Sequence, residues 1–148
     1  MDDFNAAEEL YREEIMDHYN NPRNFGELKG ADIRYSDYNP VCGDSVEIQL
    51  KMSNSQVEEA MFNGKGCAIS QAAASMLTEY IRGKSLQQLL KVKSEDVLQL
   101  LKVNPGPVRI KCALLALRAA QKGIVIYEAS LLKTRTAAAN GEANKQNE

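Results

Sequence analysis

Val46-Glu47-Ile48-Gln49-Leu50-Lys51-Met52 alternates apolar and polar residues, and Val57-Glu58-Glu59-Ala60-Met61-Phe62-Asn63 repeats the pattern less strictly. Successive side chains on a strand point to opposite faces, so Val46, Ile48, Leu50 and Met52 share one face and Glu47, Gln49 and Lys51 the other. Ser53-Asn54-Ser55 between the runs is turn sequence, and the whole reads as an antiparallel hairpin covered by helices on one face. On the returning run Ala60 points inward, together with Phe62 or Met61. Asp32 to Tyr38 offers a third, weaker strand.

Helical spacing takes over on both sides of this sheet. Leu10, Tyr11, Ile15, Met16 and Tyr19 recur along one face between Ala6 and Asn20, and Pro22, which has no N–H to donate, ends that helix. Ala68 to Arg82 contains few breakers and four small residues, Ala72 to Ser75, that allow close packing, with Gly83 as its C-terminal cap. Ser85 to Leu90 and Ser94 to Lys102 read as shorter helices, each opened by a capping serine. After the break at Asn104-Pro105-Gly106-Pro107, Val108 to Lys122 is helical and Gly123 closes it. Ile124 to Leu132 fits either a strand or a continued helix. From Thr134 onward the chain has no large apolar side chain. The expected organisation is one domain over residues 1–133 and a disordered tail over 134–148.

A chain of 148 residues, 44% hydrophobic and 26% charged, buries one core. Its net charge of -2 leaves no electrostatic footprint for nucleic acid or anionic lipid. Nine aromatic residues, none of them Trp, argue against a base-stacking surface. No apolar run is long enough to span a bilayer. Asp2 and Asp3 stand where a signal peptide needs positive charge, so the expected location is cytoplasmic.

Three cysteines, an odd number spread widely, do not make a disulfide framework. Taken singly, each reads as a small buried hydrophobe. Together they share a setting. Cys42 lies in Pro40-Val41-Cys42-Gly43-Asp44 at the entry to the hairpin, and Cys67 follows Gly64-Lys65-Gly66 where strand hands over to helix. Cys112 lies near the start of the helix after Pro107. Glycine lets backbone approach a bound ion, and a helix N-terminus favours the thiolate, the form that binds metal or accepts sulfur. Asp44 adds a harder, more exchangeable oxygen donor. Cys42 and Cys67 are 25 residues apart and Cys67 and Cys112 are 45 apart, so no compact CxxC knuckle exists. Three thiolates and a carboxylate suit a tetrahedral zinc ion or an iron–sulfur unit, and spacing does not choose between them.

Four separated motifs, in order, carry a resemblance. Leu10-Tyr11 with His18-Tyr19-Asn20-Asn21-Pro22-Arg23-Asn24-Phe25-Gly26, then Asn39-Pro40-Val41-Cys42-Gly43-Asp44, Gly64-Lys65-Gly66-Cys67-Ala68-Ile69-Ser70 and Val108-Arg109-Ile110-Lys111-Cys112-Ala113 resemble the IscU/SufU/NifU N-terminal family over Glu9 to Lys122. The resemblance implies an α+β fold, a small three-stranded antiparallel sheet with helices packed mainly on one face. It implies a scaffold, not an enzyme, on which a [2Fe–2S] cluster is built from iron and sulfur and passed to apo iron–sulfur proteins. Cys42, Asp44, Cys67 and Cys112 would be the metal and cluster ligands, with Cys112 the acceptor of persulfide sulfur from a cysteine desulfurase. An electron donor such as ferredoxin would complete the reduction to sulfide. A cluster with open edges also allows a homodimer.

Two features divide the branches of that family. Lys111 stands where the IscU branch has a histidine, and a protonated lysine has no lone pair for a metal. That resembles SufU, yet the insertion usual in SufU between the second and third cysteines is absent. The second reading is therefore a zinc-bound sulfurtransferase partner that accepts sulfur from a desulfurase and activates it. Lys65 and Lys111 would favour thiolates, or serve as ordinary solvated lysines. A cysteine hydrolase would need a base beside a thiol, and the sole histidine, His18, reads as a packing residue of the first helix.

Overall fold

A computed structural model describes residues 2–147, with side chains described for 11–137. The elements in chain order are α1 (Asp2–Asn20), β1 (Ile33–Asn39), β2 (Asp44–Ser53), β3 (Gln56–Lys65), α2 (Ala68–Ile81), α3 (Leu86–Leu90), α4 (Ser94–Leu101), α5 (Pro107–Ala113) and α6 (Leu115–Asn147). The three strands form one antiparallel sheet in the order β1-β2-β3. This is the expected α+β architecture.

The hairpin closes through Asn54 and Ser55, both at positive φ (53° and 64°), between the paired residues Ser53 and Gln56. Two left-handed residues match the twist of the flanking strands, which is why this turn joins them. A bulge follows, because Lys51 faces Glu59 while Met52 faces Val57. The extra residue, Glu58, shifts the alternation by one, so Val57, Ala60 and Phe62 all point inward and Glu58 and Glu59 outward. The choice left open between Met61 and Phe62 thus falls to Phe62. Val46, Ile48 and Leu50 from β2 join them, all fully buried beneath α2 and α6. Burying each such side chain stabilises the fold by about 1.5–3 kcal/mol.

Gln49 departs from the polar-face reading. It is fully buried, with Oε1 accepting from Leu28 N–H at 2.6 Å and Nε2 donating to the Gly26 carbonyl at 3.0 Å. These bonds fasten the loop after α1 across the sheet. Along the same loop, Asn24 and Gly26 pair with Phe62 and cover the free edge of β3.

Three helix boundaries also differ from the expectation. Lys93, not Ser94, precedes the first turn of α4, and its backbone N–H donates to Asp96 Oδ2 at 2.8 Å. The helix after Pro107 breaks at Leu114 (φ -95°, ψ -1°), which makes α5 and α6 separate elements. Gly123 does not end α6. The helix runs through it and through Ile124 to Leu132, and a Cβ at Gly123 would meet Ile33 Cγ2 and Tyr35 Cβ at 3.0 Å. Gly123 serves the close approach of α6 to β1, at a helix-propensity cost of about 1 kcal/mol. Thr134 to Ala137 continue the helix and are exposed, and the side chains of the expected tail beyond them lie outside the described residues.

Candidate metal and sulfur site

Three chain segments meet at one end of the sheet: the β1–β2 turn, the β3–α2 junction and α5. Asp44, the first residue of β2, is 2% exposed. Its Oδ1 accepts from the Cys67 backbone N–H at 2.9 Å and its Oδ2 from the Cys67 thiol at 3.1 Å. Burial pushes the Asp44 carboxyl up, but the hydrogen bonds from Cys67 and from the Cys42 and Cys112 thiols outweigh it and hold it below its ordinary value. Gly66 makes the room. Its φ is +150°, and a Cβ there would overlap the Asp44 carboxylate.

Cys67 is the N-cap residue of α2, as the strand-to-helix reading anticipates. Cys112 is not near a helix start. It lies in the last turn of the seven-residue α5, where its thiol lies 3.9 Å from the Val108 carbonyl. The Leu114 break shortens the helix and so puts Cys112 at its end. Burial, then hydrogen bonding with Cys42 and Asp44, then the charges of Cys67 and Asp44, push its thiol up.

Cys42 Sγ lies 3.0 Å from Cys112 Sγ. Cys42 is exposed and Cys112 buried, with Cys67 between these extremes. Donor atoms of Cys42, Asp44 and Cys112 all lie within 4.8 Å of one another, and Cys67 joins them through Asp44. A tetrahedral zinc with Zn–S bonds of about 2.3 Å would set its sulfurs roughly 3.8 Å apart, so Cys42 and Cys112 need to part by under ~1 Å to hold one. Three soft sulfurs and one oxygen fit zinc or iron. Lys65 and Lys111 are exposed at the margin. His18 is elsewhere, buried, with Nδ1 2.8 Å from Ser75 Oγ.

One residue of the site was not singled out from sequence. Asn39 is 5% exposed, donates from Nδ2 toward Cys112 Sγ at 3.8 Å, and accepts from Val41 N–H at 3.1 Å. Its own carbonyl accepts from Gly43 N–H at 2.8 Å. Asn39 thereby holds the turn that carries Cys42 and touches the sulfur of Cys112. The available signal was an asparagine opening a Pro-Val-Cys-Gly turn, since its side chain bonds readily to backbone two residues on.

Residues 10–134 match the NifU-like N-terminal domain family. The chain is 41% identical to the zinc-dependent sulfurtransferase SufU of Bacillus subtilis, over 143 aligned positions that take in 84% of this chain and 97% of that protein. The aligned stretch exceeds the part of this chain it covers, so SufU has residues with no counterpart here. Identity is 36% over 118 residues to the iron-sulfur cluster assembly scaffold protein IscU 1 of Archaeoglobus fulgidus, covering 80% of this chain and 76% of that one. Among solved structures, a putative iron-sulfur cluster assembly scaffold protein for the SUF system from Fervidobacterium islandicum superposes with a TM-score of 0.66 at 26% identity, covering 76% of this chain and 94% of that one. The overall fold is thus shared with a solved relative, and this chain belongs to the NifU-like N-terminal domain family that includes the IscU and SufU proteins.

Proposed function

We propose that the protein is a scaffold on which a [2Fe–2S] cluster is assembled from iron and persulfide sulfur and then handed to apo-proteins. The observation that carries this reading is the convergence of three thiols and one buried carboxylate from separate segments, with Cys42 exposed at the mouth. Cys42, Asp44, Cys67 and Cys112 hold the iron, and the mixed sulfur and oxygen set suits a cargo that must leave. Cys112 receives the sulfur. Its thiolate attacks the outer sulfur of a cysteine desulfurase persulfide, the desulfurase thiolate leaves, and a persulfide remains on Cys112. An electron donor such as ferredoxin supplies the two electrons that bring this sulfur to sulfide. Residues 1–133 are the working domain, and the setting is the cytoplasm. Among the described residues no helix is long and apolar enough to cross a membrane.

The identity to SufU supports a second reading, in which the same four residues hold zinc and the protein accepts sulfur from a desulfurase and activates it. Lys111, exposed and without a lone pair when protonated, agrees with that branch. Bound zinc would lower the thiol pKa values and keep a sulfur acceptor nucleophilic.

Anaerobic reconstitution with iron, desulfurase, cysteine and reductant separates the two. A transferable [2Fe–2S] chromophore, lost when Cys42, Cys67 or Cys112 is replaced, establishes the scaffold. Tightly held zinc, no stable cluster and a faster desulfurase establish the sulfurtransferase.

A further inference from the structure

The closest pair of sulfurs in the site is also the most unequal. Cys42 is exposed on a turn, Cys112 is 2% exposed beneath it, and their Sγ atoms are 3.0 Å apart. Cys67 is engaged differently, donating to Asp44 Oδ2 at 3.1 Å. Three thiols therefore form one sulfur–sulfur pair and one thiol–carboxylate pair. Asn39 organises the first. Its amide reaches Cys112 Sγ, and its side chain and carbonyl hold the Val41 and Gly43 N–H groups on either side of Cys42.

We propose that Cys42 is the resolving thiol for sulfur carried on Cys112: its thiolate attacks Sγ of the Cys112 persulfide, a Cys42–Cys112 disulfide forms, and the outer sulfur leaves as hydrosulfide. The step rests on the reading of Cys112 as sulfur acceptor. One S–S bond forms as another breaks. The electron pair of the broken bond departs with the outer sulfur, which reaches the sulfide level, while the Cys42 sulfur is oxidised from thiol to disulfide. The proton of Cys42 passes to hydrosulfide or water. No outside co-reactant enters this step.

Geometry and chemistry select the inner sulfur as the point of attack. The close contact is Sγ to Sγ, so the attacking and attacked atoms already adjoin. Attack on the outer sulfur would only move the persulfide to Cys42 and would expel a buried thiolate. Low dielectric makes that thiolate a poorer leaving group than hydrosulfide facing solvent. Holding the sulfur on the Asn39-braced turn against the sulfur of α5 converts an encounter between thiols into a first-order step. Sulfide is then produced beside the other two donors, Asp44 and Cys67. The disulfide must be reopened by a dithiol or by the electron donor before the next sulfur arrives. The donor's two electrons thus enter through the Cys42–Cys112 bond.

The full-length, metal-free protein is charged with sulfur by a desulfurase and free cysteine, stripped of small thiols, and followed by intact mass, peptide mapping and sulfide assay. Sulfide and the Cys42–Cys112 disulfide are expected together, one for one. Cys42→Ser, a change at an exposed position, is expected to keep the sulfur on Cys112 and to release sulfide at least ~100-fold more slowly. Sulfide without that disulfide, a disulfide that uses Cys67, or release from Cys42→Ser at the wild-type rate overturns the proposal. If the desulfurase leaves no sulfur on the chain, the acceptor reading fails. The resolving step is then read with an aromatic disulfide reagent. Two aromatic thiolates per Cys42–Cys112 disulfide support it, and a stable single adduct beside a free partner thiol overturns it.

Discussion

Asp44 receives two hydrogen bonds from the single residue Cys67, from its backbone N–H at 2.9 Å and from its thiol at 3.1 Å. The carboxylate is thereby oriented before any metal arrives, at a junction where β2 begins and α2 is capped. Under the proposed function, this one oxygen among sulfurs would be the donor most easily exchanged.

Asp44→Ala is expected to trap a bound cluster. Removal of the exchangeable ligand should slow transfer to an apo-ferredoxin relative to wild type. Circular dichroism in the visible range follows the transfer. A rate equal to wild type would count against Asp44 as the exchanging ligand.

Gly66→Ala tests the cradle behind Asp44. The added Cβ overlaps the carboxylate and sits on a backbone with φ +150°, so the variant should lose about 1–3 kcal/mol of stability. Zinc affinity should drop with it, because the carboxylate is pushed out of line. Chemical denaturation and a competition titration with a chelator read the two effects.

Cys112→Ser is expected to abolish sulfur acceptance from a desulfurase, as read by the mass of the intact protein. Persulfide still appearing, and mainly on Cys42, would move the assignment toward the zinc-dependent activator.

His18 gives the fold a pH dependence. Burial, and next the nearby Arg23, hold its imidazole below the ordinary value of 6.5, against smaller opposite effects of Glu79, Glu14 and Asp17. The folded state therefore favours neutral His18, and the unfolded chain binds more protons as pH drops. Stability should be complete above about pH 6.5 and decline as pH falls through the folded pKa. Urea denaturation at neutral and mildly acidic pH should show this decline in the wild type and a smaller one in His18→Gln. An equal decline in both would place its origin elsewhere.

Ending the chain after Lys133 is expected to leave stability within about 0.5 kcal/mol, since Thr134 to Ala137 are exposed. A thermal scan checks this, and a clear loss would extend the domain past residue 133.

Much of this molecule is legible along the chain because its signals are local. The alternation through Val46 to Met52, the turn at Asn54 and Ser55, the caps and the breaks at Pro22 and Pro107 each depend on near neighbours, and they specify the hairpin and most helices. The four motifs likewise pick out Cys42, Asp44, Cys67 and Cys112 as candidate ligands. Other features depend on residues far apart in sequence, and only packing settles them. The bulge at Glu58 puts Phe62 inward. α6 runs on through Gly123, where local propensity alone suggests a stop, and its close approach to Ile33 and Tyr35 accounts for the glycine. The break at Leu114 leaves Cys112 buried in a final helical turn. The approach of Cys42 to Cys112, 70 residues apart, arises because the β1–β2 turn and α5 are pressed against one end of the same sheet. Local periodicity reads which residues share a face, while the distance between two sulfurs follows from how the faces close on one another.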